Sequence, residues 1–103
     1  MIDLKSNNIV YLENGFYYDK NSKRLFNSDK QIIKLTNYEE EFFDLLIVNL
    51  NQFVSLNEIY NHIWGEEVSI FTLRNIVKKI RTKSYYEIIV NKSNIGYKIV
   101  SWI

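Results

Sequence analysis

Two helix-start signatures, Thr36-Asn37-Tyr38-Glu39 and Ser55-Leu56-Asn57-Glu58, do most to limit the folds open to this chain. In each, a hydroxyl and a carboxylate three residues apart can each satisfy an orphan amide of a first helical turn, so a helix begins there. Behind the first, Phe42, Leu45 and Leu46 recur at helical spacing and carry a helix to about Leu50, with Glu39, Glu40 and Glu41 near the positive end of its dipole. Behind the second, Leu56, Ile59 and Ile63 face inward, and Gly65 after Trp64 is a suitable stop. Leu73, Ile76, Val77 and Ile80 then mark the buried stripe of a third helix, over about Ile70–Lys83. Strands are expected before the first helix and after the third. Ile9–Glu13, Phe16–Asp19, Arg24–Phe26 and Ile32–Leu35 are separated by turn residues and predict a four-stranded antiparallel meander; Asn14-Gly15 predicts a two-residue hairpin. Glu87–Asn91 and Gly96–Trp102 predict a closing hairpin around Lys92-Ser93-Asn94-Ile95.

The charge is divided along the chain. Residues 68–103 hold Arg74, Lys78, Lys79, Arg81, Lys83, Lys92 and Lys98 against Glu87 alone, a net of +6, while residues 1–67 carry a net of −5. The near-neutral total of +1 hides this. At 103 residues the chain is long enough for one core, so residues 1–103 are expected to form a single domain. With no cysteine, disulfides, thiolate metal sites and cysteine nucleophiles are excluded, which fits a reducing, cytoplasmic setting. No apolar run approaches a membrane span, and the N-terminus lacks the apolar core of a signal peptide, so no membrane role is expected.

Three helices with the third one basic, followed by a hairpin, is the order of a winged helix-turn-helix, an α+β fold. Its third helix can enter a major groove and its wing can reach the neighbouring backbone. Val68–Tyr86 contains no acid, and Arg74, Lys78 and Arg81 repeat at helical spacing about 100° around from the buried stripe. Such a face is either solvated or neutralises phosphates; its place on the third helix favours contact with double-stranded DNA. Asn75 faces outward on the same helix, where it is either a solvated side chain or a reader of adenine N6 and N7.

The chain resembles the C-terminal DNA-binding domain of OmpR/PhoB-type response regulators. The resemblance rests on IKLTNYEEEFFDLL, VSLNEIYNHIWG, NIVKKIRTK and IGYKI, in that order after a strand meander, and covers roughly residues 9–101. It implies sequence-specific DNA binding in transcriptional control, as the effector domain of a two-component response regulator. By the same resemblance, Lys79 falls at a base-reaching position and Lys78 and Arg81 at phosphate contacts. Trp64 matches a Trp whose indole N–H donates to phosphate, the competing reading being core packing. Arg74, Lys83, Lys92, Ser93 and Lys98 complete the expected contact set, and Tyr97 is expected in the core. Relatives work as dimers on paired half-sites, with a receiver domain and RNA polymerase as further partners.

The chain departs from the pattern in three places. The loop Glu66–Ser69 is about two residues short, which weakens a polymerase-contacting role. Phe71 and Ile76 stand where many relatives have Arg and His. Ser93 and Asn94 replace the wing Arg and a Gly, although Asn tolerates the left-handed turn. These losses, with Phe71 as an aromatic suited to a protein contact, support an alternative, a protein-interaction module on the same fold that docks a receiver domain or RNA polymerase subunit with reduced DNA binding. Enzymatic readings are poor. His62 has no metal-spaced partner and is expected half-buried, the run Glu39–Glu41 points in different directions, and no phosphate loop or nucleophile elbow is present. No cofactor, metal or catalytic residue is expected.

Overall fold

A computed structural model describes residues 8–101, which divide into two compact units. The first contains β1 (Ile9–Tyr11), β2 (Tyr17–Asp19), β3 (Arg24–Phe26) and β4 (Ile32–Ile33), an antiparallel sheet in chain order. Val10 pairs with Tyr18 and Tyr18 with Leu25, so these three share a face, and all three are buried. On the other face the cross-strand pair Tyr17 and Phe26 stacks with ring centroids 4.9 Å apart. Asn14 and Gly15 both take positive φ, as the sequence predicts, but the Leu12 N–H donates to the Phe16 carbonyl, so three residues rather than two turn the chain. Asp19 closes the next turn by accepting the Asn21 and Ser22 amides on Oδ1. β4 is only two residues long, where a strand to Leu35 was expected.

The second unit, residues 35–100, contains α1 (Asn37–Val48), β5 (Val54–Ser55), α2 (Leu56–Ile63), α3 (Ile70–Lys83), β6 (Val90–Lys92) and β7 (Gly96–Lys98). The first capping box is complete: Glu39 N–H donates to Thr36 Oγ1, and Thr36 N–H to Glu39 Oε1. The helix stops two residues earlier than expected, because the Asn49 side chain donates to the Leu45 carbonyl and caps it. The second box is half made; Ser55 Oγ accepts the Glu58 amide without reciprocation. Ile59 is buried as expected, whereas Leu56 and Ile63 are only half-buried. Gly65, at φ +75°, ends the turn after α2, its amide donating to the Tyr60 and Asn61 carbonyls. α3 has the expected bounds, with Ser69 Oγ accepting the Phe71 amide and with Leu73, Ile76, Val77 and Ile80 buried.

The closing hairpin is shorter than expected. Tyr86–Ile88 is a 3-10 turn instead of strand, and β7 ends at Lys98; Trp102 lies outside the described residues. The hairpin also gains a strand. β5 pairs with β7, giving the order β5-β7-β6. The approach is close enough that a Cβ on Gly96 would lie 1.9 Å from the Val54 carbonyl oxygen, so only glycine fits there. Asn94 sits at φ 63° in the β6–β7 turn, the left-handed position anticipated for it.

Candidate nucleic-acid interface

α3 and the β6–β7 hairpin present the cations of the second unit. Counting about 100° per residue from the buried stripe of α3, Phe71, Asn75, Lys78 and Thr82 point straight away from the core. Arg74 and Arg81 flank this line on the hairpin side. There they border a cleft of about 520 Å³ lined also by Val77, Lys78, Thr82, Tyr86, Asn91 and Tyr97. No carboxylate lines it. Thr72 and Lys79 flank the opposite side, in a depression of about 600 Å³ shared with Thr36, Tyr38 and Glu39 from the start of α1.

The expected contact residues divide by what already holds them. Lys78, Lys79 and Asn75 are exposed, and among the described residues no side chain or carbonyl hydrogen-bonds their polar tips. Arg74 is exposed, with its guanidinium 5.8 Å from the Phe71 ring centroid. Arg81 is half-buried and committed: Nη2 donates to the Ile89 carbonyl at 2.7 Å, and its Cζ lies 4.1 Å above the Tyr86 ring. It latches the segment after α3 to the helix, and its buried Nε has no hydrogen-bond acceptor among the described residues. Lys83 Nζ is bound at 2.6 Å to Glu39 Oε1, on a side chain only 2% exposed. Both expected contact residues are thus engaged within the fold. The partners lie off the helix, just past its end for Arg81 and 44 positions away for Lys83, so helical spacing does not show them.

In the hairpin, Lys98 and Lys92 hold their ammonium groups 4.4 and 5.6 Å from the Phe53 ring, cation–π contacts that gather both charges at one place. Ser93 is exposed in the β6–β7 turn, beside Asn94. Trp64 is half-buried between Tyr38 and Tyr60, with centroid separations of 5.5 and 6.4 Å. Tyr97 is buried as expected and meets Phe42 edge-on. Burial pushes its phenol above the ordinary tyrosine value, while Arg74 and Arg81 pull the other way. His62 is exposed rather than half-buried, since α2 turns it away from Ile59 and Tyr60. Among the described residues, no cluster of three His, Cys, Asp or Glu could hold a metal, and no helix is long and apolar enough to cross a membrane.

Comparison with known proteins bears on the same reading. No family model matches the chain. It is 30% identical over 97 residues to a Staphylococcus epidermidis protein named "Putative epidermin response regulator", a match covering 89% of this chain and 46% of that protein, so the chain spans less than half its relative's length. Among solved structures, it superposes on the DNA-binding domain of CpxR from E. coli with a TM-score of 0.73 at 19% identity, over 92% of this chain and 98% of that one. It superposes equally well, at 0.73 and 20% identity, on the Thermotoga maritima response regulator DrrB, an OmpR/PhoB homolog, covering 89% of this chain and 44% of that one. At such identities the likeness speaks to the fold.

Proposed function

We propose that this chain, which has the winged-helix fold of OmpR/PhoB-type response-regulator DNA-binding domains, binds double-stranded DNA sequence-specifically as the effector domain of a two-component response regulator. In this reading residues 1–103 act as one effector domain, α3 enters the major groove, and the hairpin approaches the adjoining backbone. The observation that carries it is the outer surface of α3. Asn75, Lys78 and Lys79 are exposed with unengaged polar tips, Arg74 stands beside them, and the helix contains no acid. A helix face of this kind neutralises phosphates and releases counterions, which gives affinity, while its amide supplies direct readout.

Arg74 and Lys78 are the phosphate-reaching cations and Lys79 the base-reaching one; Lys92 and Lys98 add charge at the wing from their shared seat on Phe53. Arg81 and Lys83 act mainly by holding α3 in place. A receiver domain, RNA polymerase and a second copy on paired half-sites are the partners this function implies. The reading also carries a non-enzymatic, cytoplasmic role.

The test is fluorescence anisotropy on a labelled promoter duplex at two salt concentrations, with wild type and the Lys78→Ala/Lys79→Ala pair. Salt-sensitive binding that the pair abolishes supports α3 as the reader. Binding indifferent to salt and to both lysines would refute it and turn attention to a protein partner.

A further inference from the structure

The residue at the head of the outermost line of α3 is not a cation or an amide but Phe71, 72% exposed. A lone exposed aromatic is unremarkable on most surfaces. Here it occupies the first turn of the helix proposed to enter the groove, and residues near the N-terminus of such a helix meet base edges. Phe71 and Asn75 stand four residues apart on the same face, and both line the depression between α3 and the start of α1. Asn75 offers an unengaged carboxamide, one acceptor and two donors, matched to adenine N7 and N6. Phe71 offers only apolar surface, and the one apolar group on the major-groove edge of a base pair is the thymine C5-methyl. Arg74 stands beside Phe71, its guanidinium 5.8 Å from the ring centroid. Thr82, at the far end of the same line, donates its hydroxyl to the Lys78 carbonyl and so is spent within the helix. Lys78 carries a flexible point charge, suited to phosphate more than to bidentate base recognition.

We infer that Phe71 and Asn75 form a two-residue reading head selecting a thymine methyl and an adenine. Four helical residues rise about 6 Å, and base pairs stack at about 3.4 Å, so the two bases lie one or two steps apart. The preferred half-site therefore contains a short A·T element, discriminated by methyl contact on one side and by the adenine amine on the other. This rests on the DNA-binding reading given above and deepens it to a substrate class.

The experiment is selection of the wild-type chain on a random duplex library, followed by binding to the enriched duplex with each thymine replaced in turn by uracil, which lacks only the methyl. The expected result is one position where uracil weakens wild-type binding about three- to five-fold, the worth of one buried methyl group. Phe71→Ala, checked for folding by circular dichroism, should bind the thymine and uracil duplexes equally. Asn75→Ala should relax preference for a nearby adenine by about ten-fold. Enrichment of a defined site without a methyl-sensitive position, or with methyl sensitivity that survives Phe71→Ala, overturns this inference and leaves DNA binding standing. Failure to enrich any sequence overturns both.

Discussion

Lys83 and Lys78 illustrate how two lysines five residues apart on one helix acquire different roles. Lys78 is exposed with a free ammonium, while Lys83, its side chain 34% exposed, is locked to the buried Glu39 carboxylate. Removing Lys83 leaves that carboxylate buried without a counter-charge. Lys83→Ala is expected to cost about 1–3 kcal/mol in urea unfolding, discounted for the exposure of the pair. It should leave the salt dependence of DNA binding nearly unchanged. Lys78→Ala should do the reverse, reducing the slope of log affinity against log salt by about one with little effect on stability. Tyr97 gives a test of a different kind. Its folded phenol is raised by burial, so its contribution to stability is complete below the unfolded value of about 10 and is lost as pH rises through the folded one. Urea unfolding of wild type should weaken more steeply than that of Tyr97→Phe when the buffer is moved from neutral to strongly alkaline.

At the level of elements, the two capping boxes differ in completeness and so in expected cost. Thr36→Ala breaks a reciprocal pair and should cost about 1–2 kcal/mol, and Ser55→Ala, which removes a single bond, about half that. A sharper test concerns the wing. β5 and β7 meet at Gly96, where an added methyl would collide with the Val54 backbone. Gly96→Ala should therefore destabilise the unit by about 3 kcal/mol or more, read as a lower urea midpoint, because backbone on both sides must move. Bonds on either side of this pairing extend it: Leu56 N–H, at the start of α2, donates to the Ile95 carbonyl, and Asn51 N–H, ahead of β5, donates to the Ile99 carbonyl. The wing is thus fixed at its base to the helix-turn-helix it flanks, while its turn, Ser93 and Asn94, stays exposed.

For the molecule as a whole, charge separation governs behaviour. Within residues 35–100 the acids lie on α1, on α2, on the loop before α3 and at Glu87, and every cation lies on α3 or the hairpin. Opposite signs on one unit orient an approaching polyanion and make the encounter dependent on ionic strength. A single copy has few free cations to spend on phosphate, so its affinity should be modest. A duplex carrying two correctly spaced half-sites is expected to bind at least about ten-fold tighter than one with a single half-site, the gain coming from linkage of two weak events. Titration of both duplexes by anisotropy measures it.

The elements whose causes are local were legible in the residues. The Thr36 box, the buried stripe of α3 with its bounds at Ile70 and Lys83, the β3 strand and the positive-φ Asn94 all follow from groups within a few residues of one another. The cations of α3 were legible for the same reason, since side-chain direction on a helix depends only on spacing. Which of those cations stay available was not. Arg81 is claimed by Ile89 and Tyr86 just past the end of the helix and Lys83 by a carboxylate 44 positions away, and on the hairpin Lys92 and Lys98 are gathered by Phe53. β5 escaped notice because two residues carry no period, and it becomes a strand only when β7 arrives beside it. Periodicity writes the face of an element into the chain, but the partner of a charge is fixed only when folding brings distant segments within hydrogen-bonding reach.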